Sequence, residues 1–510
     1  MKSETARTKT VRAIPRLEKR GTATQLIVDG KPFVMLAGEV HNSSASSREY
    51  MESVWERVVA LHCNTAIVPV YWELLEPAEG KYDFTLVDGL LKGARKHHLK
   101  LALLWFATWK NAYSSYTPAW VKTALERFFR AQTADGKNTN AISCMCDAAC
   151  VADARACAAL MRHLRKADPQ HTVLAVQIEN ETGILGQSRD HCPAAERAFA
   201  SAVPAQLLEH LQARGEGLVP ELKEVWNPGA KGTWAEVFGA GADEVFMAWH
   251  VARYVNRVAG AGKSEYPLPL YANAWLVQHA SERPGQYPSG GPVSRMMNVW
   301  HAAAPAIDLL APDIYLEDFK GVCASYTRGG NPLFIPEARR DESAAANVFH
   351  AIAQCDAICF APFGIEGIPA DGPLSKSYAL LASALPVVAE RQGTGTMLGI
   401  LQSSDAVREA DLGGFRLRIK SATPYEKTKV PSFGLVIALA ADEYLVAGAN
   451  IAVDFLPLPG GLPNVEQLFH EEGRYENGEW IPGRRLNGDE YAVVLHEEPG
   501  LRRVKLFSRA

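Results

Sequence analysis

Eight apolar, β-rich runs recur along the chain, and this rhythm constrains the fold more than any other feature. They fall at residues 33–37, 65–70, 101–105, 173–178, 268–271, 309–314, 333–335 and 357–360. Helical patterns lie between several of them, at residues 47–61, 86–98, 152–166 and 343–354. Strands that are apolar throughout, rather than in alternation, are buried on both faces, and helices in between supply the cover. Eight such strand–helix units predict an α/β fold, a (β/α)8 TIM barrel. The spacing is uneven. The third and fourth runs are separated by about 70 residues and the fourth and fifth by about 90, against a usual unit of about 30. One insertion carries residues 111–120, the other Trp226, Trp234 and Trp249, and both are expected to build out the rim of the barrel. After residue 390 the helical period fades. Short β patterns at residues 414–419, 434–439, 443–446 and 491–495 are separated by turn-rich breaks, among them Glu476-Asn477-Gly478. The expected organisation is a catalytic barrel over residues 1–390 and a smaller all-β, sandwich-like domain over 395–510.

Composition removes several alternatives. A chain of 510 residues with 47% apolar and 22% charged residues can bury a large core without disulfides or metals. A net charge of −4 argues for neither nucleic acid nor an anionic membrane as partner. The longest apolar run, residues 99–109, is too short to span a bilayer. The opening Met1-Lys2-Ser3-Glu4-Thr5 lacks the apolar stretch of a signal peptide. A cytoplasmic protein is therefore expected if Met1 is the native start, and a periplasmic one if a leader has been removed. Cys144, Cys146, Cys150 and Cys157 have no zinc-site spacing and overlap a helical pattern, so they read as small buried apolar groups. Gly262-Lys263-Ser264 ends like a phosphate-binding loop but has Arg257 where glycine is needed. Neither H-E-x-x-H nor G-x-S-x-G occurs.

The chemistry points to strand ends. The fourth run leads directly into Glu179-Asn180-Glu181, and the seventh into Pro336-Glu337. Active sites of parallel α/β barrels lie at the carboxyl ends of the strands, and two carboxylates on two strands are what glycosidic cleavage requires. The residue pattern alone does not choose between Glu179 and Glu181. Arg339 and Arg340 are close enough in sequence to favour an ionised Glu337. Glu39, Glu73, Asp313 and Glu366 also fall at or beyond strand ends and are candidates to bind sugar hydroxyls, and Trp275 is a candidate to stack on a sugar ring.

These residues resemble the glycoside hydrolase family 35 β-galactosidases, within clan A. The resemblance rests on Gln177-Ile178-Glu179-Asn180-Glu181, Ala37-Gly38-Glu39-Val40-His41-Asn42, Tyr71-Trp72-Glu73 with Glu76-Pro77, and Pro118-Ala119-Trp120. Asp442-Glu443-Tyr444-Leu445-Val446-Ala447-Gly448 is similar to the β domain of a bacterial branch that includes xyloglucan-active enzymes. The resemblance implies Glu181 as acid/base, Asn180 as ligand of the sugar 2-hydroxyl, Glu337 as nucleophile and Tyr315 as its neighbour. Tyr71 joins the substrate-binding candidates through its motif. Two departures stand out: Thr182 where many members have tyrosine, and no acid in the segment after strand 3, where Trp109, Lys110 or Asn111 would substitute. The expected function is a retaining exo-β-galactosidase acting on oligosaccharides, including xyloglucan side chains, with no metal or organic cofactor. Homo-oligomerisation is left open. Competing expectations are a β-glucosidase, α-L-arabinopyranosidase or β-fucosidase of the same mechanism, and a non-catalytic sugar-binding barrel.

Overall fold

A computed structural model describes residues 12–476 and 478–510; Met1 to Thr5 and Asn477 lie outside the described residues. Eight parallel strands close into a barrel in sequential order. They are β1 (Met35–Glu39), β2 (Thr65–Tyr71), β3 (Lys100–Lys110), β4 (Val173–Asn180), β5 (Leu270–Trp275), β6 (Leu309–Ile314), β7 (Phe334–Ala338) and β8 (Cys359–Pro362). Every residue of β1, β2, β4, β6, β7 and β8 is buried, as expected for strands covered by side chains inside and helices outside. The eight expected runs thus all become barrel strands.

The helices used below are α1 (Arg48–Ala60), α2 (Thr85–Lys96), α3 (Asp147–Ala167), α4 (Ala242–Glu265), α5 (Phe319–Tyr326), α6 (Ala344–Phe349) and α7 (Pro373–Arg391). Local chemistry sets their ends. Ser47 caps α1 by accepting from the Tyr50 amide at 3.2 Å, with Glu49 in the first turn, where the helix dipole favours a negative charge. The helical pattern at 343–354 divides into α6 and a five-residue π-helical turn, His350–Gln354. Gly262-Lys263-Ser264 lies inside α4, which accounts for its failure as a loop motif. None of the nine cysteines is in a disulfide.

One run is corrected at its start. Residues 31–33 leave the barrel and pair with residues 26–28 in a three-stranded antiparallel sheet with Arg16–Arg20, and the barrel strand begins at Met35. Downstream of α7, a six-stranded antiparallel sheet includes β9 (Met397–Gln402) and β10 (Ser432–Ala440), and a four-stranded sheet packs on it. Among the described residues no helix is long and apolar enough to cross a membrane.

Candidate active site

Three carboxylates converge at the carboxyl ends of β4, β6 and β7. One oxygen each of Glu181, Asp313 and Glu337 lies within 4.8 Å of the others, and all three residues are buried. They line a cavity of about 440 Å³ together with Lys110, Asn111, Trp275, Tyr315 and further residues including Asn42, Gln278 and Phe363. That volume suits a small-molecule ligand.

The backbone at the end of β4 departs from strand geometry to achieve this. Glu179 has φ 61° and Glu181 φ 44°, the left-handed region that non-glycine residues seldom occupy. Regular alternation would put Glu179 and Glu181 on one face. With two left-handed residues it fails: Glu179 turns toward α3, Glu181 lines the cavity, and Asn180 reaches Glu337 beside it. The strained end is held from both sides. The Glu181 amide donates to Asn273 Oδ1 of β5 at 3.0 Å, and its carbonyl accepts from the Ala112 amide at 3.0 Å.

Glu337 accepts from the Tyr315 hydroxyl at 2.8 Å and from Asn180 Nδ2 at 3.3 Å. Asn180 is itself oriented by Lys110 Nζ, which donates to its Oδ1 at 3.0 Å. Asn111 Nδ2 donates to Glu181 Oε2 at 2.6 Å. Burial, and next the negative charge of Glu337, push the Glu181 carboxyl up to about 7, against the pull of Lys110 and of hydrogen bonds from Asp313 and Asn111. Asp313 is driven well above the usual carboxylate range by burial and by Glu337 and Glu181, and accepts from Asn273 Nδ2 at 2.7 Å. Burial works against the charge of Lys110, but Glu337, Glu181, Glu39 and Asp313 outweigh it and hold its pKa above that of an ordinary lysine. Lys110 thus brings a positive charge into a cluster of four carboxyl groups. Among the described residues the Glu181–Asp313–Glu337 trio is also the group with metal-ligating geometry.

Several expected site residues sit elsewhere. Trp109 is on the outer face of β3, its ring edge-on to Tyr254 of α4 at 4.6 Å, so it cannot stack on a ligand in the cavity; the inward position belongs to Lys110. The Tyr71 hydroxyl donates to the Asn42 carbonyl at 2.7 Å and its ring stacks on Tyr116 at 5.5 Å, outside the cavity lining. Glu39 is fully buried outside the cavity lining with neither oxygen hydrogen-bonded, held well above its usual range by burial and by Glu337. Glu366 fixes the loop after β1, accepting from the His41 amide at 3.0 Å and Ser44 Oγ at 2.7 Å. Glu73 pairs with Lys122 at 2.8 Å. The arginines near Glu337 turn away: Arg339 pairs with Asp341, and Arg340 Nη1 lies 3.4 Å from His41 Nε2, so the nearby cation is Lys110 instead. Sequence reasoning missed Asn273, although an amide inside the apolar run of β5 was a signal that something there needed hydrogen bonding. Asn42, Gln278 and Phe363 are loop residues with no such signal.

Comparison with known proteins adds an independent observation. Residues 41–233 match the Glyco_hydro_42 family model, described as "Beta-galactosidase", and residues 374–497 match DUF5597, a domain of unknown function. A β-galactosidase of Xanthomonas manihotis is 37% identical over 62 residues, 12% of this chain and 10% of that protein. Among solved structures, a β-galactosidase from Bacillus circulans sp. alkalophilus aligns with TM-score 0.48 at 15% identity, covering 70% of this chain and 57% of that one. The catalytic domain of a β-amylase from Paenibacillus polymyxa aligns with TM-score 0.48 at 11% identity, covering 69% and 97%. The chain therefore spans a tenth of the curated relative it matches and little more than half of the first structure. The motif resemblance pointed to family 35, whereas the model that matches is that of family 42, and the β-galactosidase description is common to both. Residues 41–233, from the end of β1 through β4, thus carry the sequence signature of a β-galactosidase family of glycoside hydrolases.

Proposed function

We propose that the protein is a retaining exo-β-galactosidase in which Glu337 is the nucleophile and Glu181 the acid/base. The observation that carries this reading is the closeness of the two carboxylates on β4 and β7, one oxygen of each lying within 4.8 Å of the other. Retention needs carboxyl groups about 5–5.5 Å apart; inversion needs about 6.5–9.5 Å to admit a water. Glu337 attacks the anomeric carbon while Glu181 gives its proton to the leaving oxygen. Water then attacks the galactosyl ester as Glu181 takes a proton from it. The environments suit the two roles. Glu337 is surrounded by donors from Tyr315 and Asn180, with the ammonium of Lys110 one residue further. Glu181, raised to about 7, keeps its proton up to the edge of neutrality, where an ordinary glutamate has long lost it. Once Glu337 is esterified its charge is gone, the pKa of Glu181 drops, and it becomes the base of the second step. The motif resemblance gives Asn180, hydrogen-bonded to both Glu337 and Lys110, the role of binding the sugar 2-hydroxyl. The substrate class is the terminal β-galactosyl group of oligosaccharides, with the galactose-capped side chains of xyloglucan included on the strength of the motifs in the C-terminal region.

Glu337→Gly with azide and an activated aryl β-galactoside tests the assignment. Azide is expected to restore turnover and yield the α-galactosyl azide, because it enters from the face that Glu337 vacates. Formation of the β-azide would reverse the two roles, and no rescue would sink the nucleophile assignment. A panel of nitrophenyl β-galactoside, β-glucoside, β-fucoside and α-L-arabinopyranoside tests the sugar, with galactoside expected to have the highest kcat/KM.

A further inference from the structure

The chain leaving β3 folds back in a turn whose geometry bears on the proton donor. The Lys110 amide donates to the Tyr113 carbonyl at 2.8 Å, and the Tyr113 amide to the Lys110 carbonyl at 3.0 Å. Between them Asn111 and Ala112 have φ 52° and 58°. Two consecutive left-handed residues inside such a bonded pair make a type I′ hairpin turn, whose preferred sequence is Asn-Gly. Asparagine enters the left-handed region more readily than most residues with a side chain. Alanine does not, so Ala112, which is buried, is held there by its surroundings.

The turn grips Glu181 twice. The Ala112 amide donates to the Glu181 carbonyl at 3.0 Å, and Asn111 Nδ2 donates to Glu181 Oε2 at 2.6 Å. The Glu181 amide in turn donates to Asn273 Oδ1 at 3.0 Å, so the main chain of the residue is fixed on both sides. Neither main-chain bond restrains the carboxyl group, whose last torsion is broad and roughly two-fold. The bond from Asn111 does restrain it. Lys110, Asp313, Glu337 and Glu39 also act on this carboxyl, but as charged or titrating groups. Asn111 is a neutral donor, with two N–H bonds whatever the protonation of its neighbours. Its bond also tells the two oxygens of Glu181 apart. The carbonyl oxygen of a protonated carboxyl is the better acceptor, so an N–H aimed at Oε2 leaves the proton to Oε1.

We propose that Asn111 is a positioning residue for the proton donor: the turn aims its amide at Glu181 Oε2, so that Oε1 presents the transferable proton to the glycosidic oxygen. The inference rests on Glu181 being the acid/base. In the first step the Oε1–H bond breaks, its proton passes to the leaving oxygen, and the bond from that oxygen to the anomeric carbon breaks. In the second step the oxygen of water bonds to the anomeric carbon, Glu337 leaves as a carboxylate, and a proton of the water returns to Oε1. Oε2 accepts from Asn111 throughout, so one fixed donor serves both steps. Asn111 also lines the cavity, and a contact with the sugar itself would give a different kinetic signature.

The test is kcat/KM of the full-length protein on dinitrophenyl, nitrophenyl and phenyl glycosides of the sugar that wild type prefers in the panel above. Dinitrophenolate leaves without a proton, whereas phenolate needs one. Glycine adopts left-handed backbone without strain, so Asn111→Gly removes the amide and spares the turn. Asn111→Gly is expected within about three-fold of wild type on the dinitrophenyl substrate and about ten- to a hundred-fold lower on the phenyl one, part of the roughly 10²–10⁴ that a well-placed general acid supplies. Glu181→Gln is expected to follow the same trend more steeply. An equal fall of Asn111→Gly on all three substrates would overturn the inference, since loss of a sugar contact or loosening of the site acts before the leaving group matters. An unchanged series in Asn111→Gly would overturn it as well. Absence of the trend in Glu181→Gln would instead remove the acid/base assignment itself, and this inference with it.

Discussion

Glu181 stands between charges of opposite sign, Glu337 raising its pKa and Lys110 lowering it, and this makes both neighbours experimental handles. A general acid works in its protonated form, so kcat/KM is expected to fall as pH rises through about 7. Glu337→Gln removes the negative neighbour, and direct titration of the Glu181 carboxyl in that variant, by infrared or carbon NMR, should give a pKa below the wild-type value. Lys110→Met removes the positive neighbour and should move the alkaline limb of kcat/KM upward by about one unit or more, with kcat reduced because Asn180 loses its anchor. A limb that stays in place in Lys110→Met would show that the acid lies elsewhere. The same residues mark how far the chain could be read in advance. Glu181 and Glu337 were visible as acids at the ends of apolar strands. The choice between Glu179 and Glu181 was not visible, because it depends on two left-handed φ values that period-two reasoning excludes. Lys110 was visible as a departure from a motif, but its position among four carboxyl groups comes from β3 running on to residue 110.

Glu179, left over from that choice, belongs to the contact between a strand and its covering helix. Its Oε2 accepts from the Trp109 amide of β3 at 2.7 Å, and its carboxyl is close enough to that of Asp153 on α3 for the Asp153 charge to raise its pKa, with Oε1 left without another donor. Asp153 accepts from Trp105 Nε1 at 2.8 Å and from Thr108 Oγ1 at 2.6 Å. Two carboxyl groups can share so dry a site only by sharing a proton, and burial followed by the Asp153 charge holds Glu179 well above its usual range. The folded-state pKa of Glu179 therefore lies above its unfolded value. Its contribution to stability is full below about pH 4.5 and is lost as pH rises toward the folded value. Glu179→Gln keeps a neutral donor at every pH. Relative to wild type, the variant is expected to gain stability with rising pH, by up to about 1.4 kcal/mol per unit above pH 5. Urea unfolding from pH 5 to 8 measures the difference, and parallel curves would rule out the shared proton. At this scale the barrel strands were legible because they are apolar on both faces. Arg16–Arg20 and Arg408–Leu412 were not, because such short, charged strands leave no pattern.

At the scale of the whole molecule, β10 ties the barrel to the region beyond it. Phe433, Leu435 and Ile437 join the same buried cluster as the barrel core, with the Phe433 ring 5.4 Å from that of Phe349 on α6. Val436 and Ala438, on the opposite face, pack into a second core with Leu417, Ile419 and Val453 of the four-stranded sheet. β9 lies equally close: a side chain at Gly399 would meet the Gln354 backbone at 2.7 Å. A strand buried on both faces reads as continuous apolar sequence, so residues 434–439 were recognised as β without any sign that one face belongs to the barrel. The consequence is energetic. With the cores joined through one strand, neither region can lose its partner without exposing Phe433, Leu435 and Ile437 or the α6 surface they cover. Calorimetry of the full chain is therefore expected to show one cooperative transition, with van't Hoff and calorimetric enthalpies in agreement. Phe433→Ala should lower stability by about 3–5 kcal/mol and keep the transition single. Because Phe433 lies outside the carboxylate cavity, kcat/KM at a temperature where the variant is folded should match wild type. Two resolved transitions in the wild type, with only the second sensitive to Phe433→Ala, would instead mean that the barrel is stable without the sheets laid against it.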